Sequence, residues 1–223
     1  MTAPEPPFGA AVDRWLARFP AEDPPAASAE AAVTIVLRPE EEDVGTLLIE
    51  RTVRARDPAS GQVALPGGHV DPEDPSLAGT ALRELEEEVG LGIADLAGPP
   101  RYVRTLLAQR FGLRVGVFAA ALGPTPRRAF PGDPDEVAHV FWLPRRALEE
   151  TRRVVYETSR GPLEVPATVF EGHVLWGFTR RVLREFFGLP IEEIGAPGLP
   201  PTGADADERG RPPSPRNSGP SPL

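Results

Sequence analysis

The 223-residue chain carries 24 basic and 33 acidic side chains, and a net charge of -9 argues against a nucleic-acid groove, which needs a basic footprint. Its 40% hydrophobic content suits a globular protein, whereas 29 prolines and 22 glycines are too many for packed structure throughout, so part of the chain is expected to be unstructured. Cysteine is absent, which excludes disulfides and thiolate chemistry; lysine is absent too, so a phosphate would be gripped by guanidinium or backbone N–H groups.

In chain order, Ala11, Val12, Trp15, Leu16 and Phe19 share one face of a short helix expected between Phe8 and Phe19, a brace for the domain. Prolines from Pro20 to Pro25 end it. Ala31 to Leu37 is a continuous apolar run of the kind found in a central strand, and Thr46 to Glu50 is the next strand after an acidic turn. Arg51 to Gly61 reads RTVRARDPASG, too polar for a core: either a solvated loop or an anion clamp built from Arg51, Arg54 and Arg56. Gln62 to Leu65 is a short strand, ended by Pro66-Gly67-Gly68, where glycine lets main-chain groups approach a ligand or metal closely.

The next segment is the most informative. From Leu77, Ala78, Ala81, Leu82, Leu85 and Val89 recur at helical spacing and form one stripe. Asp74-Pro75-Ser76 offers a cap and a first-turn proline, and Gly90 a C-terminal stop. Glu84, Glu87 and Glu88 fall within roughly a quarter turn of one another on a different face. Such a cluster is ordinarily a solvated helix face. Here, however, like charges at i,i+4 and carboxylates near a helix C-terminus are each mildly unfavourable, and a cation would offset both. Oxygen-only donors without His or Cys suit a hard divalent ion such as Mg²⁺ or Mn²⁺.

Beyond the helix, Tyr102 to Ala108 and Leu113 to Leu122 read as a strand pair. Asp135 to Pro144 is a strand whose first residues, including Glu136, sit on its rim. Arg145 to Glu150 suggests a short helix, and Val154 to Thr158 pairs with Leu163 to Phe170. Gly172 to Thr179 is expected to open the final helix, with Leu175, Phe178, Val182, Phe186 and Phe187 packing inward. His69, His139 and His173 show no metal-ligand spacing and read as structural. From Gly195 onward the composition is that of a disordered tail.

The run Arg83-Glu84-Leu85-Glu86-Glu87-Glu88-Val89-Gly90-Leu91, preceded by Gly67-Gly68, resembles the signature of the Nudix hydrolases. The family pattern places a glycine fourteen residues before the arginine and a glutamate eight before it. His69 and Pro75 stand there, and a one-residue insertion restores the glycine as Gly68 and brings Asp74 to the acidic slot. Three further segments are similar to the coenzyme A pyrophosphatase branch: Gly67-Gly68 with Asp71 and Asp74, the arginine-rich stretch from Leu47 through Arg51-Thr52 to Gly61-Gln62-Val63, and Leu175-Trp176-Gly177-Phe178-Thr179.

The resemblance implies an α/β fold, a Nudix-type α/β/α sandwich with a mixed sheet, over residues 31–190, with an N-terminal helix and linker in 1–30 and a tail in 191–223. It implies metal-dependent hydrolysis of a pyrophosphate bond, most closely that of coenzyme A or acyl-coenzyme A. Mg²⁺ or Mn²⁺ would be held by Glu84, Glu87 and Glu88, with Arg83 orienting Glu87 and Glu136 a further ligand or base. Arg51, Arg54, Arg56, Gly67 and Gly68 are the expected substrate contacts. ADP-ribose, NADH or an oxidised nucleotide as substrate, and a non-catalytic nucleotide sensor, are the alternatives. The expected partner is a small nucleotide rather than nucleic acid or membrane, with room for a homodimer. No apolar run approaches a membrane span and no export segment is evident, so the default expectation is a cytoplasmic protein.

Overall fold

The computed structural model of the protein describes residues 9–19, 29–40, 43–54, 59–158 and 161–192. Arg56 and residues 193–223 of the expected tail therefore lie outside the described residues.

The first helix, α1 (Ala10–Leu16), is shorter than the apolar spacing suggested. It is followed by β1 (Ala31–Glu40) and β2 (Asp43–Arg51), a hairpin whose register runs from Glu40 opposite Asp43 to Leu37 opposite Thr46. Beyond that point the two strands part. The wedge between them is filled by β3 (Val63–Ala64), antiparallel to β2, and β4 (Gly67–His69), antiparallel to β1. The other edge of β1 carries β6 (Leu113–Ala121), parallel to it, and β5 (Arg101–Ala108) pairs antiparallel outside β6. The other edge of β2 carries β7 (Val137–Pro144). The sheet is therefore mixed, with seven strands.

From Ala31 to Leu37 β1 is apolar but for the buried Thr34, because both of its faces are covered. Ile35 and Leu37 meet α1 and the last helix, α3 (Gly177–Phe186), whereas Ala32 and Val36 belong to the layer under α2 (Leu77–Val89). The fully buried Ile35, Val36 and Leu37 side chains each contribute about 1.5–3 kcal/mol from area removed from water. The result is an α/β/α sandwich. Trp15 of α1 and Phe19 just beyond it are closed over by the end of α3: Trp15 meets Phe187 edge-on at 4.9 Å, and Phe19 stacks on Phe186 at 5.3 Å. Among the described residues no helix is long and apolar enough to cross a membrane.

A second, three-stranded antiparallel sheet is formed by β8 (Arg152–Thr158), β9 (Gly161–Phe170) and β10 (His173–Trp176). β10 is a departure from the sequence reading, which began the last helix at Gly172. Val174 and Leu175 fit a helical period, but the edge of β9 offers them a ladder, Val174 opposite Val169 and Leu175 opposite Thr168. Gly177, at φ 64°, then turns the chain from strand into helix.

Candidate active site

Helix α2 starts and stops where local chemistry tells it to. The Ser76 hydroxyl accepts the Gly79 N–H at 3.1 Å, and Gly90 ends the helix at φ 70° with its N–H on Glu86 O. Pro75 precedes the cap rather than occupying the first turn, because Ser76 is the residue whose side chain can accept. Ala81, Leu85 and Val89 are fully buried against the sheet. That orientation points Glu84 and Glu88 at the wedge strand β4 and leaves Glu87 toward water, with 60% of its side chain exposed.

Glu88 is 5% exposed and accepts the Gly67 N–H at 2.8 Å, with Arg51 Nη1 3.9 Å away. Burial dominates its proton affinity and pushes it up to about 8; the Gly67 N–H opposes this, and the charges of Glu84 and Glu136 add to it. Glu84 is likewise raised by burial, against the pull of Arg83. The expected ligand contact of Gly67 is thus spent within the protein: its N–H holds Glu88.

Arg83 is the hub of the cluster. Its Nη1 donates to both Glu84 Oε1 and Glu87 Oε2 at 2.9 Å, its Nε to Asp74 Oδ1 at 2.9 Å, and its Nη2 to Asp74 Oδ2 at 3.1 Å and the His69 carbonyl at 3.0 Å. Asp74 also accepts from the Thr80 hydroxyl at 2.7 Å and the Asp71 N–H at 2.9 Å. The Arg83 guanidinium holds the Asp74 carboxyl far below the usual carboxylate range, and Asp74 in turn raises Arg83. Sequence reading left this aspartate as an acidic slot; its place just ahead of the helix cap, within reach of the first two turns, was the available signal.

The remaining candidates assemble from the far side. Glu136, 51% exposed, lies at the start of β7 with Arg54 Nη1 at 3.8 Å, and its charge is felt by both Glu84 and Glu88. Arg51 and Arg54 are thus turned toward acidic residues of the cluster. The segment leading to Glu136 had no sequence signature. Phe130 N and Gly132 N donate to the Val89 and Glu88 carbonyls at 3.2 and 2.9 Å, and Thr52 donates through its N–H to Glu136 O at 2.9 Å and through its hydroxyl to Pro134 O at 2.8 Å.

Among the described residues no three His, Asp or Glu side chains converge on one point as an ion would require, and the Arg83 guanidinium stands between Glu84 and Glu87. In chemistry the donor set nevertheless fits a hard divalent cation. The donors are carboxylate oxygens alone, and burial, which raises the proton affinities of Glu84 and Glu88, leaves their ionised forms to gain from an added cation. Gly68 supplies the space: a Cβ there would lie 2.5 Å from Glu84 Oε1. Gly68→Ala is therefore expected to displace the end of a flexible carboxylate rather than the backbone. It should lower turnover about tenfold while shifting the thermal midpoint by less than about 3 °C, read from steady-state kinetics and a melting curve.

A model of the NUDIX domain family matches residues 28–160. An uncharacterized Nudix hydrolase, NudL, of Yersinia enterocolitica is 32% identical over 192 residues, spanning 79% of this chain and 91% of that one. NudL of Yersinia pestis is 32% identical over 161 residues, 70% of this chain and 76% of that one. Among solved structures, a MutT/nudix family protein from Enterococcus faecalis aligns with a TM-score of 0.49 at 18% identity, over 78% of this chain and 66% of that one.

Proposed function

Because the chain belongs to the NUDIX domain family, we propose that it is a divalent-metal-dependent hydrolase of the pyrophosphate bond in coenzyme A or acyl-coenzyme A. The products are 3′,5′-ADP and 4′-phosphopantetheine or its acyl form. The observation that carries the hydrolase reading is the seating of Glu84 and Glu88 at the Gly67-Gly68 wedge, with Glu87 joined to Glu84 through Arg83 and Glu136 in the same electrostatic field. The choice of coenzyme A rests on the three segments that resemble that branch.

Glu84, Glu87 and Glu88 would hold Mg²⁺ or Mn²⁺, which would supply neutralisation of charge developing on the pyrophosphate and a more acidic water. The protein's own groups do the rest. Glu136 accepts the proton of the attacking water. Arg83, anchored on Asp74 and the His69 carbonyl, orients Glu87 and Glu84 ahead of metal loading. Arg51, Arg54 and Arg56 grip substrate phosphate, as guanidinium forks do well. Gly67 seats Glu88, and Gly68 keeps a side chain out of the space in front of Glu84.

The test is product analysis with purified protein, Mg²⁺ or Mn²⁺, and coenzyme A, an acyl-coenzyme A, ADP-ribose, NADH and 8-oxo-dGTP in parallel. Metal-dependent release of 3′,5′-ADP from coenzyme A is expected. Preference for another member overturns the substrate assignment, and no turnover of any member overturns the hydrolase reading.

A further inference from the structure

We infer that Thr52 is a positioning residue that sets where Glu136 stands relative to the carboxylates of α2, acting through the 130–136 loop. The inference rests on the hydrolase reading above. The loop is fastened at both ends by backbone groups. Its first half caps the helix: Phe130 N and Gly132 N donate to the carbonyls of Val89 and Glu88, which the last turn of a helix leaves without intrahelical donors. Contact is so close that a Cβ on Gly132 would lie 1.7 Å from Glu87 O. Its second half is latched to the end of β2 by the two Thr52 bonds, to Pro134 O and Glu136 O.

Between these anchors the chain has little freedom. Asp133 O accepts from Glu136 N at 2.9 Å and Val137 N at 2.8 Å, while its side chain accepts from Asp135 N at 2.8 Å. The Glu136 side chain itself is half exposed and approaches Arg54 at 3.8 Å, too far for a hydrogen bond, so the loop backbone is what places it. Thr52 follows Arg51, whose guanidinium faces Glu88, so the end of β2 addresses both sides of the cluster.

Thr52→Val keeps the shape of the side chain and removes its hydroxyl; Thr52→Ser keeps the hydroxyl. Loss of one hydrogen bond that fixes a reacting group is expected to lower kcat about five- to tenfold in Thr52→Val, with KM within about twofold and the melting midpoint within about 2 °C. Thr52→Ser restores most of kcat. Amide exchange in Thr52→Val accelerates by a similar factor at Gly132, Glu136 and Val137 and is unchanged in the middle of α2. A working enzyme in which Thr52→Val retains full kcat and full protection of those amides overturns the role of Thr52 alone, as does failure of Thr52→Ser to restore. Absence of wild-type turnover on every member of the panel sinks the hydrolase reading, and this role with it.

Discussion

Glu87→Gln is expected to lower kcat/KM by at least about 100-fold with Mg²⁺ or Mn²⁺ present, while leaving the melting midpoint within about 1 °C of the parent. The two halves of that expectation have separate causes. Glu87 is 60% exposed, and its contact with Arg83 is an i,i+4 pair on the water side of the helix. Such pairs contribute a few tenths of a kcal/mol, so folding barely registers the change. Catalysis should register it fully, because the amide keeps the size and polarity of the side chain but removes a negative charge from the cation-holding set. Steady-state kinetics alongside a melting curve separates the two. A loss of less than about tenfold would remove Glu87 from that set.

The second large effect concerns stability. Glu88 takes up its proton at about 8 in the folded protein, against 4.5 for the ordinary side chain, because burial disfavours the carboxylate. For a group raised in the folded state, the stabilisation is fully present below about 4.5 and is lost progressively as pH rises to about 8, since the unfolded chain gives up the proton first. That gap in proton affinity corresponds to on the order of 5 kcal/mol. The metal-free protein should therefore be markedly less resistant to urea at pH 8.5 than at pH 5. Glu88→Gln, whose side-chain oxygen can still accept the Gly67 N–H, should flatten the dependence. Saturating Mn²⁺ should flatten it as well, by favouring the ionised form that the fold alone disfavours. Identical pH profiles for the parent and Glu88→Gln in the absence of metal would refute this account.

Much of α2 was legible because its signals are local. The apolar stripe and the stop at Gly90 lie within reach of their own sequence neighbours; the cap does too, but Asp74-Pro75-Ser76 suggested a first-turn proline, whereas the helix is capped by Ser76 itself. β1 and the β5–β6 pair were legible for a similar reason: unbroken or paired apolar runs with a turn between them. The wedge was not. That Gly67 and Gly68 form a strand against β1 depends on β1 and β2 separating after Leu37 and Thr46, a long-range event with no local mark. β10 was misread because Val174 and Leu175 suit either period until β9 stands beside them. The link from Asp74 to Arg83 was visible only as proximity to the helix start. The fastening of the 130–136 loop was invisible, since its bonds at both anchors go chiefly to backbone carbonyls, which every residue type carries.

The position of Arg83 between Glu84 and Glu87 bears on how an ion would arrive. On the proposed metal-dependent reading, loading would trade one cation for another: a singly charged guanidinium would yield two carboxylates that a doubly charged ion would take over. Asp74 and the His69 carbonyl, which also hold the arginine, would give it somewhere to stay when it let go. A sodium or potassium ion would offer those carboxylates no more charge than the guanidinium already does. Discrimination against the abundant monovalent ions would then be set by a resident competitor, before the size or ligand number of the incoming ion came into play.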